Sequence, residues 1–231
     1  MPITANAMDA DTPGHAPGRR STNRNTDPHV VLCRSATGLS AIRQPGVTLA
    51  LWRRSLPAGL AAQLARLGQA DRPSFRLATT PDEAEEDLAA ALPAARWIAG
   101  PLLGDIARLV KRYADIVGCP NVLLRLDSVA GDGCRFFHAD HVGLRLLCTY
   151  QGAGTHWLPD DAVNRPALGR GDNDAVLADP GRLRAFGTGH VGLLKGEWWP
   201  GNRGRGLVHR SPPADTTGHP RLLLCLDHHD H

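Results

Sequence analysis

Lysine is almost missing from this chain. Of its 26 basic residues only Lys111 and Lys195 are not arginine, and aromatic side chains make up just 5% of the 231 residues. The basic residues are scattered and not interleaved with aromatics, and the formal net charge is only +3, so no electrostatic footprint for nucleic acid is present. Cysteine is scarce and odd in number. Cys33, Cys119, Cys134, Cys148 and Cys225 are widely spaced with no C-x-x-C, which argues against a disulfide framework and against a cysteine zinc knuckle. Long apolar runs are missing too: none approaches the roughly 20 residues that cross a bilayer. The first residues, Met1 to Asp9, lack a basic region followed by an apolar one, so no secretory signal is expected. These absences together lead to the expectation of a soluble cytoplasmic protein with neither membrane nor nucleic acid as partner.

What remains is enough for a folded unit. Hydrophobic residues make up 42% of the chain, a globular proportion, and a chain of this length can bury a core without disulfides or a structural metal. Residues 1–28 are rich in Pro, Gly, Asn, Asp, Thr and Arg and are expected to form a disordered tail. The expected organisation is this tail, one domain over 29–227, and a His-rich end at 228–231.

Strands are expected at 29–33 and 47–52. Leu56, Leu60, Leu64 and Leu67 have helical spacing. Thr80-Pro81-Asp82-Glu83 has the makings of a helix start running to about Leu92, with Thr80 as cap and Glu83 reaching back. Leu102, Ile106, Leu109, Tyr113 and Ile116 form the stripe of a second helix over 101–117, which Gly118 and Pro120 stop. After Pro120 the period becomes two. Strands are expected at 122–127, 144–150, 189–195, 205–209 and 221–227. Helices followed by a run of strands argue for an α+β chain with a sandwich or barrel in its C-terminal half. The polar stretch 159–187 reads as a long loop and a candidate lid.

The chemistry centres on Phe136-Phe137-His138-Ala139-Asp140-His141. In an extended chain His138 and Asp140 project from the same face, so an imidazole and a carboxylate can take adjacent positions on one metal ion. A third ligand must come from elsewhere, and His209, on a later expected strand, is the best candidate. Two histidines and one carboxylate with open positions make the facial triad of non-haem Fe(II) oxygenases. Arg221 lies twelve residues beyond His209 and opens the last apolar strand. A guanidinium in that setting needs an anion. A carboxylate ligand gripped by two hydrogen bonds suits it, as does a protein carboxylate such as Asp227, or an edge position.

His138-x-Asp140, His209 and Arg221 together resemble the motif of the Fe(II)/2-oxoglutarate-dependent dioxygenases. The resemblance implies a double-stranded β-helix (jelly-roll) barrel supported by the N-terminal helices, with His138, Asp140 and His209 as ligands of Fe(II). It implies Arg221, and less directly Arg145, as holders of the co-substrate 2-oxoglutarate, and the hydroxylation of an unknown substrate, a small molecule or one not identified by the sequence. A closer resemblance covers residues 30–227. Cys134-Arg135-Phe136-Phe137-His138-Ala139-Asp140, the run from Arg145 to Thr155, Leu194-Lys195-Gly196-Glu197 and His209-Arg210-Ser211-Pro212-Pro213 resemble the bacterial DUF1826 family, which implies no activity of its own.

Other residues have two readings each. His156 and Trp157 line a pocket mouth or simply pack. Lys195 binds an anionic substrate or reaches out from a strand end. Trp198 begins a substrate wall with Trp199 and Pro200, or closes a strand end. Arg210, beside His209, is grouped with these substrate candidates. His141 should point away from Asp140, and Cys134 and Cys148 read as small core residues. Two alternatives to the oxygenase stand: a jelly-roll metalloprotein holding zinc, manganese or nickel, since a triad does not identify its metal, and a metal-free barrel that binds a ligand or partner.

Overall fold

The computed structural model describes residues 27–66, 72–92, 96–131, 133–214 and 221–228. The expected tail over 1–28 therefore lies outside the described residues except for Asp27 and Pro28, and of the His-rich end only His228 lies within them. Elements follow in the order β1 (Val30–Cys33), a 3-10 helix (Ala36–Arg43), β2 (Leu49–Trp52), α1 (Ala58–Ala65), β3 (Phe75–Thr79), α2 (Ala84–Ala91), α3 (Arg96–Val117), β4 (Val122–Val129), β5 (Leu144–Gln151), β6 (His156–Trp157), α4 (Asn173–Val176), β7 (Arg184–Ala185), β8 (Val191–Lys195), β9 (His209–Arg210) and β10 (Arg221–His228), with short 3-10 turns between β6 and β7. No helix among the described residues is long and apolar enough to cross a membrane.

The fold is α+β, built on a seven-stranded sheet in the order β1-β2-β8-β5-β10-β4-β3 and a three-stranded sheet in the order β7-β6-β9. The large sheet is not confined to the C-terminal half, as the change of period after Pro120 suggested. Two N-terminal strands form one edge and β3 the other. All pairings are antiparallel except β1 with β2.

Strand alternation divides the large sheet into two chemically different faces. Leu144, Leu146, Cys148 and Tyr150 of β5, Leu222, Leu224 and Leu226 of β10, and Val191 and Leu193 of β8 pack into the main core with the helices. The opposite parity, Leu147, Leu194 and Cys225, meets Trp157, Phe186 and Leu207 in a second cluster between the sheets. Gly192 belongs to this face: a Cβ there would lie 2.4 Å from the Phe186 ring, so the close approach of that ring requires glycine.

Helix α3 buries the expected stripe and stops at Gly118, whose φ of +78° suits a left-handed cap. Tyr113 on this stripe donates to the Leu144 carbonyl at 2.8 Å, tying the helix to the start of β5. Asp105, on the same helix, accepts from Tyr150 at 2.7 Å and from Arg54 at 2.8 and 2.6 Å. This buried network binds the helix layer to the sheet.

Several elements depart from the sequence reading. Leu67 lies outside the described residues. Thr80 and Glu83 do meet, side chain to side chain at 2.9 Å, but they close a turn before the helix proper begins at Ala84. The 3-10 helix at 36–43, β3, and the two-residue strands β6 and β7 have no counterpart in the sequence reading. The strand expected at 205–209 shortens to His209–Arg210 because the Glu197 carboxylate draws in the amides of Gly204 and Gly206 and bends the chain. The 159–187 stretch is no structureless loop. It folds into turns that bury Ala167 and Val176 against Phe137, Leu158 and Val208, and Arg182 fastens it to Asp27 at 2.5 Å.

Candidate metal and anion site

Three elements bring His138, Asp140 and His209 together. The segment preceding β5 carries His138 and Asp140. A bridge to β9 aligns it: the His138 amide donates to the His209 carbonyl at 3.0 Å, and the reciprocal bond is 2.9 Å. Asn173 of α4 clamps the same segment, accepting from the Phe137 amide at 2.9 Å and donating to the Arg135 carbonyl at 3.0 Å. The three side chains offer ligand atoms that all lie within 4.8 Å of one another, the one group of this kind among the described residues.

The histidine orientations follow from their backbone partners. His138 Nδ1 lies 2.8 Å from the Phe136 carbonyl, and His209 Nδ1 lies 3.0 Å from the Leu207 carbonyl. A carbonyl can only accept, so each Nδ1 carries the hydrogen and each neutral ring presents its Nε2 lone pair. Those nitrogens approach Asp140, His138 Nε2 at 3.5 Å from Oδ1 and His209 Nε2 at 3.3 Å from Oδ2. Ligands in adjacent positions of an octahedron with bonds of ~2.1 Å stand about 3.0 Å apart, close to this spacing. Asp140 Oδ2 is buried without a hydrogen-bond donor among the described residues. Lone pairs converging on an orphaned carboxylate oxygen are the environment a divalent cation fits.

The electrostatics couple the same three groups. Burial alone would raise the Asp140 pKa, but the imidazoles of His138 and His209 and the charge of Arg145 hold it far below the carboxylate range. For His138, burial works against a positive charge, but the Asp140 carboxylate and the Phe136 carbonyl overcome it and raise the pKa. Asp140 and His209 are buried, whereas the His138 side chain is 34% exposed, so the group opens to solvent on that side.

Arg145 and Arg221 differ sharply. Arg145 is engaged by two carboxylates: Asp227 through Nε and Nη2 at 2.7 and 2.8 Å, and Asp140 Oδ1 through Nη1 at 2.8 Å. It braces a candidate ligand and has little left for a co-substrate. Arg221 is 6% exposed yet has no carboxylate partner among the described residues. It donates to the Ala153 carbonyl at 2.6 Å and to Ser211 Oγ at 3.1 Å, with Thr155 and Thr149 hydroxyls at 3.4 and 3.5 Å. Burial pulls its pKa down to about 10. Asp227, the protein carboxylate weighed as its partner, is taken by Arg145.

Alternation places these groups on facing walls. Arg221, Thr149 and Arg145 share the parity of Leu147 and Cys225, the side turned toward the small sheet. Within the small sheet Trp157 pairs with His209 and joins that inter-sheet cluster, and Thr155 and Ser211 have matching parity. The buried Trp157 indole N–H has no hydrogen-bond partner among the described residues.

The remaining candidates disperse. His156 pairs with Arg210 across the small sheet on its other face, where Arg210 stacks 4.5 Å over Phe137 of the outer cluster. Burial and the nearby charges of Arg210 and Arg221 lower the His156 pKa. Lys195 shares the parity of Val191 and Leu193 and so belongs to the helix side of the sheet. Trp198 is exposed and meets His141 edge-on at 6.1 Å. Cys148 is buried but Cys134 is exposed. Sequence reasoning missed Asn173, Ser211, Thr149 and Thr155. Parity relative to Arg145 and His209 could have flagged Thr149 and Ser211, whereas nothing local marks Asn173.

The model of one family, described as a protein of unknown function, DUF1826, matches residues 34–227. The chain belongs to the DUF1826 family. No curated protein matches this DUF1826 chain. Among solved structures it resembles the dioxygenase for auxin oxidation of rice, at 13% identity over 86% of this chain and 81% of that one, with a TM-score of 0.48. It resembles the 2-oxoglutarate complex of the corresponding Arabidopsis thaliana enzyme at 11% identity, 86% and 91% coverage, and a TM-score of 0.42. A third is a full-length Neurospora crassa protein in complex with α-ketoglutarate, at 14% identity, 78% and 73% coverage, and a TM-score of 0.40.

Proposed function

We propose that this DUF1826 protein is an Fe(II)- and 2-oxoglutarate-dependent oxygenase acting on a small-molecule substrate, with residues 29–227 as one unit whose two sheets are the walls of a jelly roll. The observation that carries the reading is the pairing of two unmet demands on facing walls. One is a carboxylate oxygen with two imidazole lone pairs around it, which calls for a cation. The other is a buried guanidinium with no acidic partner among the described residues, which calls for an anion. A dicarboxylate that chelates a metal through one end and reaches an arginine with the other meets both.

In this reading His138, Asp140 and His209 hold the metal. Arg145, bridging Asp140 and Asp227, keeps the Asp140 carboxylate in its orientation and charged state. Arg221 takes the far carboxylate of 2-oxoglutarate, aided by the hydroxyls of Thr149, Thr155 and Ser211. The apolar surroundings of Leu147, Trp157, Leu207 and Cys225 keep water from the inter-sheet space, where charge–charge attraction is strongest. When bound, iron supplies the activation of O2, coupled to oxidative decarboxylation of 2-oxoglutarate.

The test pairs metal content with co-substrate binding. Protein reconstituted anaerobically with Fe(II) should hold one tightly bound equivalent, lost in His209→Ala, and should bind 2-oxoglutarate only when the metal is present. In air it should form succinate in an iron-dependent way. A metal equivalent that persists in both His138→Ala and His209→Ala would reject the centre. One equivalent of zinc without 2-oxoglutarate binding would replace the oxygenase with a different metalloprotein.

A further inference from the structure

A second charged feature lies on the helix side of the large sheet. At the end of β8 a cavity of 410 Å³ is lined by Arg43, Lys195 and Arg205 together with Trp199, Asn202 and prolines. Its size falls in the range of small-molecule sites, roughly 300–1,000 Å³. Lys195 is only 3% exposed. Among the described residues its ammonium donates one hydrogen bond, to the Gln44 carbonyl at 3.0 Å, and it lies 5.2 Å from the centre of the Trp199 ring.

None of the three cations forms an ion pair among the described residues. Glu197, the acid nearest in sequence, is turned to the amides of Gly204 and Gly206 and faces Arg165 at 4.0 Å. A buried ammonium without a counter-charge is costly, and two converging arginines add repulsion. Both costs are offset when an anion enters. Burial and the Arg205 charge already lower the Lys195 pKa. The parity of Lys195 with Val191 and Leu193 puts this cavity on the opposite face of the sheet from Arg221 and the His-Asp-His group.

We propose that the cavity is a separate binding site for a small polyanion carrying two or three negative charges as phosphate or carboxylate groups. Lys195 provides the buried anchor, and Arg43 and Arg205 close over the ligand from the rim, where both are exposed. The flat Trp199 ring and neighbouring prolines offer an apolar wall for the ligand's carbon frame.

The full-length protein, stripped of metal over a chelating resin, is titrated calorimetrically with pyrophosphate, citrate and, as an uncharged control, glucose. One saturable equivalent of pyrophosphate or citrate is expected, with none for glucose. Tighter binding of pyrophosphate assigns a phosphate ligand, and tighter binding of citrate a carboxylate. Arg43→Ala and Arg205→Ala, at exposed positions that leave folding intact, should each weaken binding at least tenfold, and Arg221→Met should leave it unchanged. Absence of saturable binding by both anions overturns the proposal. So does an affinity indifferent to Arg43→Ala and Arg205→Ala, or one abolished by Arg221→Met, which would place the anion at the other site.

Discussion

Replacing Arg221 with methionine separates a residue kept for function from one kept for stability. The guanidinium is buried without an acidic partner among the described residues, and burial holds its pKa at about 10. A depression of that size corresponds to roughly 3 kcal/mol of solvation lost by the charged form, at ~1.4 kcal/mol per tenfold change. The sign is fixed: the folded pKa lies below the unfolded one, so keeping the proton at neutral pH costs the native state stability. Methionine removes that cost. Against the gain stand the Ala153 carbonyl and Ser211 Oγ, which lose donors at 2.6 and 3.1 Å and together cost about 1–3 kcal/mol, while the contacts to Thr149 and Thr155 at 3.5 and 3.4 Å are too long to weigh much. Arg221→Met should therefore leave stability unchanged or raise it by up to about 2 kcal/mol, as surrendering buried charge to an apolar side chain often does. The ligand response should move the other way. Metal-loaded wild-type protein at a hundredfold excess of 2-oxoglutarate over Kd should gain about 2.7 kcal/mol, or roughly 5–10 °C in Tm at this chain length. The variant should gain nothing. Urea unfolding and thermal melts with and without 2-oxoglutarate measure both effects. A variant destabilised by more than about 2 kcal/mol that keeps its ligand-induced shift would refute the reasoning, because Arg221 would then be a structural donor.

Two other perturbations probe the neighbouring networks. Arg145→Lys should weaken metal binding by about 10–100-fold, since a single ammonium cannot satisfy Asp227 and Asp140 together as the planar fork does. Competition against a metal indicator measures it, and an unchanged affinity would show that Asp140 needs no brace. Asp105→Asn should cost about 3–5 kcal/mol by stranding the buried Arg54 charge. In the wild type, burial opposes ionisation of Asp105, but Arg54, Tyr150 and Arg108 overcome it and lower its pKa. A carboxylate whose folded pKa is depressed contributes its full stability above its ordinary pKa near 4 and loses it as pH falls toward the depressed value. The stability advantage of the wild type over Asp105→Asn should accordingly be level from pH 7 to about 5 and shrink below 4. An advantage independent of pH down to 3 would contradict the ion pairing.

The features readable in the sequence are those that depend on short-range periodicity. The stripe from Leu102 to Ile116 names a helix and the face it buries. The alternation from Val122 and from Leu144 names two central strands. His138 and Asp140 share a face because they stand two residues apart. His209 stands out as a polar, metal-competent side chain next to an apolar stretch, and Arg221 as a charge at the head of an apolar strand. What stays hidden depends on partners far along the chain. Arg145 meets Asp227 across 82 residues, and Asn173 reaches Phe137 across 36. The strands β6 and β7 have two residues each, and β6 is held between β7 on one side and β9, more than fifty residues downstream, on the other.

Lys195 makes the limit plain. Its parity with Val191 and Leu193 can be read from five letters of sequence, so one could know that the three share a face. Which face looks onto the helices and which onto the small sheet is decided by where Leu39, Ile42, Leu60, Leu88 and the α3 stripe come to rest, and those residues lie some 80–155 positions upstream. The motif Leu194-Lys195-Gly196-Glu197 therefore looks like part of a single site, although its members serve two sides. Leu194 belongs to the space in front of Arg221 and Asp140, and Lys195 to a cavity behind it. Alternation in a strand assigns neighbours to opposite compartments before either compartment exists, and only the packing of distant segments gives each one its chemistry.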